Sequence, residues 1–387
     1  MPLSPTVAGP RPTPVPHRWQ DAFATWRDRV VASPRFQRWA ARFWLTRPIA
    51  RARAAGLFDL VAGFVYSQVL AACVRLDLFD LLSREGPQRA DDLAPRLGMS
   101  VRAMSRLLDA AVSIRLLELR SGDRYGLGAL GAPLVGHGAL KAMIEHHAAL
   151  YADLRDPLAL LRGEGAGSAM SAYWPYAAYP TPDALPAQRV AEYSALMTAS
   201  QPMVIDEVLD AYPFHRHQRL LDVGGREGRF VAALAQRAPA LDLTLFDLPP
   251  VADLARTRLA GLGLADRVRA VGGSFFDDPL PTGADIVTLV RVLFDHDDEH
   301  ALAILKAARA ALAPGGTVLV AEPMARTPGA HAMGDAYFGF YLLAMGRGQA
   351  RSVADFRALL TAAGFVGFRP VATHLPLQAG VVVARAS

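Results

Sequence analysis

The feature that most constrains the fold is a glycine-containing turn in residues 220–228, between an apolar strand pattern and an apolar helix pattern. The run 219–223 leads into Gly224, Gly225 and Gly228, and apolar residues at helical spacing follow. This order predicts a strand, a tight turn and a helix, and small residues in such a turn let a ligand approach the backbone. A second predicted strand, 241–246, ends at Asp247, where a carboxylate can accept both ribose hydroxyls of a nucleoside cofactor.

The chemistry of the turn favours S-adenosylmethionine (SAM) over a dinucleotide. The spacing of Gly224, Gly225 and Gly228 does not fit the G-x-G-x-x-G pattern of a dinucleotide site. Asp222 directly precedes the turn, and the ammonium group of SAM needs a carboxylate or carbonyl partner. The alternative is an ordinary strand-to-helix turn with no ligand, which Asp247 and the later motifs make less favoured.

From about residue 206 the sequence alternates between strand and helix patterns. The predicted strands are 219–223, 241–246, 267–271, 284–290 and 316–321, and the predicted helices are 228–237, 250–262, 299–313 and 353–363. Such alternation predicts an α/β fold, a Rossmann-like, doubly wound and mainly parallel sheet over residues 206–387. Its ligand is expected at the carboxyl ends of the strands.

Residues 57–205 are predicted to be mainly helical, with a winged-helix pattern inside them. A helix within 90–99 is followed by a second helix that Ser100 caps, and then by a hairpin over 116–127. DNA binding is one interpretation of this pattern. The second helix offers only Arg102 and Arg106 as basic contacts, and acidic residues flank the unit. We therefore favour a dimerisation domain and expect no nucleic-acid partner.

Residues 1–56 form a basic arm rich in tryptophan. Residues 1–60 hold ten arginines, no lysine and three acidic residues, whereas the whole chain has a net charge of only +5. Four of the five tryptophans lie there, in two helical patterns that Pro34 separates. Such helices suit an anionic membrane surface, and packing on a dimer partner is the equal alternative. The first sixteen residues are Pro-rich and are expected to be disordered.

The cysteine content, the N-terminus and the apolar stretches narrow the class of protein further. The single cysteine, Cys73, excludes an internal disulfide and suits a reducing compartment. The sequence has no cluster of Cys and His residues that would indicate a metal site. The N-terminus lacks the order of a signal peptide, so we expect a cytoplasmic protein. The apolar stretch 60–74 is shorter than the roughly 20 residues of a spanning helix, and is predicted to be a buried helix.

At these motifs the chain resembles the SAM-dependent O-methyltransferases of the plant-phenolic and acetylserotonin type. The matching blocks are residues 221–228, 246–249, 271–276, 291–300 and 312–316. The resemblance implies a helical winged-helix dimerisation domain, a Rossmann-like catalytic domain and a homodimer. It also implies SAM as cofactor, with the methionine part at the glycine turn, the ribose at Asp247 and the adenine at Ser274 and Phe275. The predicted cofactor set is Asp222, Gly224, Gly225, Gly228, Asp247, Leu248, Ser274, Phe275 and Arg291.

A closer resemblance is to the carotenoid O-methyltransferases of purple bacteria that act on hydroxyneurosporene and demethylspheroidene, and residues 57–68, 145–151 and 333–341 carry it. It implies an apolar substrate, the tertiary 1-hydroxyl of an acyclic carotenoid in spheroidene-type synthesis. It also implies a location on the cytoplasmic face of the inner or photosynthetic membrane. Two alternatives stay open: a phenolic or polyketide substrate, and an inactive SAM-binding or DNA-binding homologue.

Three positions depart from the pattern of the wider family. Arg226 stands where a glycine is usual, and Ser274 stands where an aspartate is usual. Phe294 occupies the position of the catalytic histidine. The last departure leaves the identity of a general base open.

His296, Asp295 and Glu322 are the candidate catalytic residues. His296 lies two positions after Phe294, between Asp295 and Asp297, which are predicted to hold it in one tautomer. Glu322 matches the first of the two glutamates that orient the usual histidine, and Ala350 falls at the second position. A surface histidine in an acidic loop is the alternative for His296.

Methyl transfer is an in-line displacement, so alignment of the reacting atoms is central and a base is secondary. A tertiary alcohol is a much weaker acid than a phenol, and its proton is expected to leave late. His146 and His147 fall on a helical stretch that lines the pocket in the wider family, and we expect core or dimer-interface histidines there.

Overall fold

The computed structural model describes residues 18–163, 168–173 and 204–387. The predicted disorder of the first sixteen residues lies outside these ranges. A helical segment, 204–211, leads into the catalytic sheet. The N-terminal region is mainly helical and contains a small sheet. The C-terminal region is built on a larger sheet that helices cover on both faces.

Three helices form the N-terminal part of the described chain: α1 (Arg18–Ala32), α2 (Pro34–Arg42) and α3 (Arg47–Arg75). Pro34 lies in the first turn of α2, where its missing N–H costs nothing, so the two arm helices are separate as predicted. Helix α3 runs unbroken through the predicted domain boundary at 56/57, so the arm continues directly into the helical domain.

The expected burial of residues 60–74 is wrong for most of helix α3. Only Ala71, Cys73 and Val74, near its C-terminal end, are buried. The apolar residues of its middle are exposed: Leu57, Phe58, Leu60, Val61, Phe64 and Val65. Periodicity alone indicates an apolar helix but not the surface that covers it. Among the described residues, α3 is the one helix that length and composition would allow to cross a membrane.

The winged-helix prediction is confirmed. Its elements are α4 (Leu78–Glu85), β1 (Gln88–Arg89), α5 (Ala90–Arg96), α6 (Val101–Ser113), β2 (Leu117–Arg120) and β3 (Arg124–Leu127). Ser100 caps α6 by accepting a hydrogen bond from the amide of Ala103 at 3.2 Å. The strands pair antiparallel in the order β1-β3-β2. Helices α7 (Gly138–Asp153), α8 (Pro157–Arg162) and α9 (Ala169–Tyr173) then lead towards the catalytic domain.

The catalytic domain is built on a seven-stranded sheet in the order β6-β5-β4-β7-β8-β10-β9. Its strands are β4 (Arg219–Val223), β5 (Asp242–Asp247), β6 (Val268–Gly272), β7 (Ala284–Val290), β8 (Leu312–Glu322), β9 (Phe365–Val371) and β10 (Gly380–Ala386). Its helices are α10 (Arg229–Arg237), α11 (Pro249–Gly261), α12 (Asp298–Ala311), α13 (Phe338–Met345) and α14 (Val353–Ala362). Strands β4 to β8 pair in parallel, which confirms the doubly wound sheet.

Strands β9 and β10, which the sequence patterns did not predict, extend the sheet: β10 pairs antiparallel with β8, and β9 pairs antiparallel with β10. The chain order reverses at β4, since β5 lies on one side of it and β7 on the other. Two apolar cores cover the two faces of this sheet. A ligand crevice is expected at the carboxyl ends of β4 and β7, where the order reverses.

Candidate active site

A cleft opens where the strand order reverses. It lies between the turn after β4 and the residues that follow β7. Its walls are formed by Val204, Ile205, Asp222, Gly224, Gly225, Arg226, Phe230, Val290 and Arg291. Four residues of the predicted cofactor set, Asp222, Gly224, Gly225 and Arg291, therefore lie in one cleft.

The turn needs its glycines for two different reasons. Gly224 and Gly228 have φ angles of 72° and 76°, in the left-handed region that side chains rarely adopt. A Cβ on Gly225 would lie 2.6 Å from Oδ2 of Asp222 and 2.7 Å from Cδ1 of Leu245. The turn therefore presents bare backbone to the cleft.

Asp222 is buried and only half satisfied. Its Oδ1 accepts a hydrogen bond from Oγ1 of Thr288 at 2.7 Å, and its Oδ2 has no partner among the described residues. Burial, together with the nearby charge of Asp247, raises the pKa of Asp222 to about 7. An unpaired buried carboxylate oxygen is costly, and an ammonium group would satisfy it. This arrangement fits the methionine end of SAM.

Asp247 joins the turn to the tip of β5. Its Oδ2 accepts the backbone amide of Arg226 at 2.7 Å, and its Oδ1 accepts the backbone amide of Leu248 at 2.8 Å. Burial raises the pKa of Asp247, and these two hydrogen bonds oppose that shift. A carboxylate oxygen can accept more than one hydrogen bond, so both oxygens keep capacity for the ribose hydroxyls. The ribose role of Asp247 and Leu248 stays a prediction.

Ser274 and Phe275 follow β6, next to β5 in the sheet. The hydroxyl of Ser274 donates to Asp277 at 2.8 Å, and its amide donates to Asp278 at 2.9 Å. Ser274 thus closes its own turn. Phe275 is half-buried and offers its ring for the adenine, a role that stays a prediction.

Arg226, in the position of a usual glycine, has φ of 53°. Such a conformation costs a non-glycine residue about 1–2 kcal/mol. Its guanidinium reaches the backbone oxygen of Arg291 at 3.3 Å and Oδ2 of Asp295 at 3.4 Å. Arg226 therefore links the turn after β4 to the loop after β7, across the mouth of the cleft.

Glu322 holds the loop after β7 from below. It is fully buried, and its Oε1 accepts the backbone amides of Val292 at 3.0 Å and Leu293 at 2.8 Å. Burial and the charge of Asp295 raise the pKa of Glu322 to about 8. Burial also raises the pKa of Asp295 to about 6, against the opposing charges of Arg226 and Arg291.

The predicted clamp on His296 is wrong. Asp295 points to Arg226 instead, and Asp297 caps helix α12 by accepting the amide of His300 at 2.9 Å and contacting its Nδ1 at 2.7 Å. The ring of His296 packs edge-on against Phe275, with ring centroids 5.7 Å apart. Burial and the neighbouring His300 lower the pKa of His296 to about 4, so its ring is neutral. Neighbours in sequence point in different directions here because residues 293–295 form a tight 3₁₀ turn.

Phe294 faces a different environment from His296. It is 2% exposed and packs in an apolar cluster that lies between α7, α9 and α13. Phe338 meets its ring edge-on at 5.9 Å. Ala350, at the position of the second orienting glutamate, packs against the same cluster. The position of the usual histidine is therefore an apolar wall.

Sequence reasoning missed Arg351, which fixes the same loop from the other side. Its buried guanidinium donates to the backbone oxygens of Leu293 at 2.7 Å and His296 at 2.8 Å, and to Oδ1 of Asp298 at 2.8 Å. An arginine shortly after a helix gave no local signal for this role. The loop 292–298 is thus held by Glu322 and Arg351 together.

Sequence reasoning also missed two tyrosines that hydrogen-bond the paired histidines of α7. Nε2 of His147 lies 2.7 Å from the hydroxyl of Tyr337, and Nε2 of His146 lies 3.2 Å from the hydroxyl of Tyr341. Burial lowers the pKa of both histidines, that of His146 to about 4. Both pairs join α7 to the segment 332–345, beside the apolar wall.

Comparison with known proteins agrees with this geometry. The profile of the O-methyltransferase domain matches residues 168–366, and that of the O-methyltransferase dimerisation domain matches residues 58–136. The chain is 42% identical over 356 residues to the demethylspheroidene O-methyltransferase of Cereibacter sphaeroides, covering 92% of this chain and 93% of that protein. It is 37% identical over 361 residues to the enzyme of the same name from Rhodobacter capsulatus, covering 92% and 88%.

Solved structures give the same result. The apo form of the SAM-dependent methyltransferase SibL superposes with a TM-score of 0.74 at 26% identity, covering 85% of this chain and 98% of that one. Human N-acetylserotonin methyltransferase in complex with SAM superposes with a TM-score of 0.69 at 25% identity, covering 87% and 98%. The resemblance, the fold and the cofactor predicted from sequence are confirmed: the chain belongs to the SAM-dependent O-methyltransferase family.

Proposed function

We propose that this enzyme methylates the tertiary 1-hydroxyl of an acyclic carotenoid, demethylspheroidene or hydroxyneurosporene, in spheroidene-type carotenoid synthesis. The observation that carries the proposal is the match to two demethylspheroidene O-methyltransferases over 92% of the chain. SAM, when bound, supplies an already activated methyl group. The protein must then align a hydroxyl with that group and exclude water.

The apolar wall around Phe294 supports this substrate class. A phenol needs an acceptor for its proton, and histidine is a well-matched one. Here the corresponding position carries a buried phenylalanine in contact with Phe338. Such a wall suits a polyene chain, and it leaves a tertiary alcohol to lose its proton late.

A phenolic or polyketide hydroxyl is the second candidate, but the two matches over 92% of the chain favour the carotenoid alcohol. An inactive homologue is not favoured, since Asp222 and Asp247 keep the geometry of a cofactor site. The winged helix lies within the matched dimerisation domain, which leaves DNA binding without support.

The test is methyl transfer from labelled SAM by the purified protein. Demethylspheroidene in detergent micelles is offered against a simple phenol such as 2-naphthol at equal concentration. We expect the label in a carotenoid methyl ether, identified by mass spectrometry, and little label in the phenol. Turnover of the phenol alone would replace the proposal with the second candidate.

We also propose a homodimer built through the exposed middle of α3. The residues of that face lie at the start of the matched dimerisation domain, residues 58–136. They are apolar and exposed within one chain, as at Phe58, Val61 and Phe64. Light scattering at micromolar concentration should give twice the mass of the chain, and Phe64→Glu should shift it towards the monomer. A wild-type monomer would contradict the proposal.

We further propose that the enzyme is cytoplasmic and docks peripherally on the inner or photosynthetic membrane through α1 and α2. Trp19, Trp26 and Trp39 on these helices are exposed beside the arginines of the arm, as is Trp44 in the turn after α2. Helix α3 does not need to span the bilayer. Its C-terminal end packs in the winged-helix core, and its exposed apolar residues are assigned to the dimer contact proposed above.

Vesicle sedimentation tests this docking. The intact protein should sediment with anionic vesicles and much less with neutral ones. A variant without residues 1–46 keeps the whole of α3 and should stay in the supernatant, with SAM affinity unchanged. If the intact protein ignores anionic vesicles, the arm belongs to the dimer instead.

A further inference from the structure

We infer that Tyr337 contacts the substrate hydroxyl and that His147 receives the proton released by methyl transfer. The inference rests on the proposed function only in requiring a hydroxyl acceptor. It assigns to a tyrosine–histidine pair the place that Phe294 leaves without a polar group. Neither residue belongs to the candidate catalytic set predicted from sequence.

The pair has the geometry of a proton relay. Nε2 of His147 lies 2.7 Å from the hydroxyl oxygen of Tyr337, and the two rings meet edge-on with centroids 5.5 Å apart. Both side chains are half-buried, so the hydrogen bond is sheltered but not sealed inside the core. A short hydrogen bond between a neutral tyrosine and a neutral histidine can pass a proton in one direction.

The backbone holds Tyr337 in a fixed place. It ends a π-helical turn, Ala332–Tyr337, and such turns occur often at functional sites. This turn packs closely on the end of β8, since a Cβ on Gly334 would lie 2.4 Å from the backbone oxygen of Met324. Tyr337 therefore stands near the carboxyl end of β8, the strand that bears Glu322.

Tyr337 lies between the cofactor cleft and the apolar wall. On one side lies Arg291, which lines the cleft. Burial raises the pKa of Tyr337, and the positive charge of Arg291 is near enough to oppose that rise. On the other side, Phe338 packs 4.9 Å from the ring of Tyr337 and 5.9 Å from that of Phe294. When an apolar substrate lies along this wall with its terminal hydroxyl towards the cleft, the hydroxyl of Tyr337 is a polar group beside it.

The substrate oxygen forms a bond to the methyl carbon, and the carbon–sulfur bond breaks with its electron pair left on sulfur. The methylated oxygen, now positive, gives its proton to the hydroxyl oxygen of Tyr337. Tyr337 passes its own proton to Nε2 of His147, which becomes an imidazolium and later releases the proton to solvent.

The neighbouring pair provides a matched control. His146 and Tyr341 join the same two elements, but their hydrogen bond is longer, at 3.2 Å, and Tyr341 is 7% exposed. Tyr341 packs in the apolar cluster with Phe294, and its ring lies 5.8 Å from that of Tyr337. Tyr341→Phe therefore removes a similar hydroxyl from the same wall but keeps the hydrogen bond between Tyr337 and His147.

The experiment measures turnover of demethylspheroidene and SAM affinity for four proteins: wild type, Tyr337→Phe, His147→Gln and Tyr341→Phe. Tyr337→Phe and His147→Gln should each lower kcat about 10²- to 10⁴-fold, the usual range for a proton-transfer residue. The KM for SAM and its Kd by calorimetry should stay within about twofold. Tyr341→Phe, which keeps the relay, should lower kcat at least tenfold less than Tyr337→Phe does. A fifth protein, the double variant of Tyr337 and His147, should be no slower than the worse single variant, because the two residues act as one unit.

The outcomes test the proposed relay and the proposed substrate separately. If wild type methylates demethylspheroidene and Tyr337→Phe does so within threefold, the relay is overturned and the proposed function stands. If wild type methylates only 2-naphthol, the proposed function fails and the same four proteins are compared on that phenol. Equal losses in Tyr337→Phe and Tyr341→Phe, accompanied by lower melting temperatures, would assign both tyrosines to packing alone.

Discussion

Binding of SAM should release a proton from Asp222. In the unliganded protein, burial raises the pKa of Asp222 to about 7, and its Oδ2 has no partner among the described residues. A positive ammonium against that oxygen favours the carboxylate and lowers the pKa. At any pH where Asp222 is partly protonated, the cofactor therefore displaces the proton.

The size of the release follows from that pKa. A group with a pKa of about 7 is roughly 0.9 protonated at pH 6, about half protonated at pH 7 and about 0.1 protonated at pH 8. An α-amino group has a pKa of about 7.7–8.0, so the ammonium of SAM is already charged at pH 6 and mostly charged at pH 7. We expect a net release of about 0.9 protons at pH 6 and about 0.3–0.4 at pH 7. At pH 8 we expect a net uptake of about 0.4–0.6 protons, because half or more of the free amine is neutral there and gains a proton on binding.

Titration calorimetry in buffers of different ionisation enthalpy counts these protons at each pH. At pH 6, where the ammonium of SAM is already charged, Asp222→Asn should abolish the dependence on buffer. Thr288→Val should shift the release to higher pH, because the hydroxyl of Thr288 lowers the pKa of Asp222. Binding enthalpies at pH 6 that are the same in every buffer would refute the role of Asp222.

The same shift predicts how the unliganded protein responds to pH. The folded-state pKa of Asp222, about 7, exceeds its ordinary value of 3.8, so the folded state binds more protons between these values. Stability should therefore fall as pH rises through that interval. Asp295 and Glu322, with pKa values raised to about 6 and about 8, act in the same direction. The half-buried histidines His146, His147 and His296 have lowered pKa values and act in the opposite direction below about pH 6.5. Melting temperatures at pH 5.5 and pH 8 are therefore compared between wild type and Asp222→Asn, and the loss on raising the pH should be smaller in the variant. Added SAM should narrow the difference between the two pH values in wild type.

Three substitutions probe the other predicted residues. Asp247→Ala should weaken SAM binding roughly tenfold to a hundredfold, since charge-assisted hydrogen bonds are worth about 1.5–3 kcal/mol, and unchanged affinity by calorimetry would remove Asp247 from the site. His296→Ala should lower kcat by no more than about tenfold, whereas a general base would cost about 10²–10⁴. Phe294→His should not accelerate methylation of the carotenoid, because it puts a polar group into an apolar wall, and a large gain would contradict both the substrate and the mechanism.

The parts of the fold that could be predicted are those written in short stretches of sequence. The glycine turn, the acid at the end of β5 and the periodicity of α10 and α12 are all local, and they placed the cofactor cleft. Ser100 and Pro34 likewise marked helix ends where the structure has them. Since parallel strands bring their carboxyl ends together, local motifs were sufficient to place the cofactor residues along one edge of the sheet.

The rest depends on contacts between distant residues. His147 and Tyr337 are 190 positions apart, and neither has a motif around it that names the other. Arg351 reaches Leu293 across 58 positions for the same reason. The exposure of α3 was missed because an apolar pattern shows that a face is to be covered, but not whether the same chain covers it. The clamp on His296 failed because adjacency in sequence does not fix direction within a 3₁₀ turn.

The presence of a glutamate at position 322 has a structural explanation that needs no histidine partner. Its Oε1 accepts the two buried amides of Val292 and Leu293, and substitution by alanine would leave both unpaired, at about 1–3 kcal/mol each. Its pKa of about 8 means that it carries a proton at neutral pH, so it acts as a neutral acceptor and not as a base. The loop after β7 is thereby fixed from both sides, by Glu322 and by Arg351. A rigid loop serves alignment, and alignment is the larger need when the electrophile is already activated and the alcohol loses its proton last.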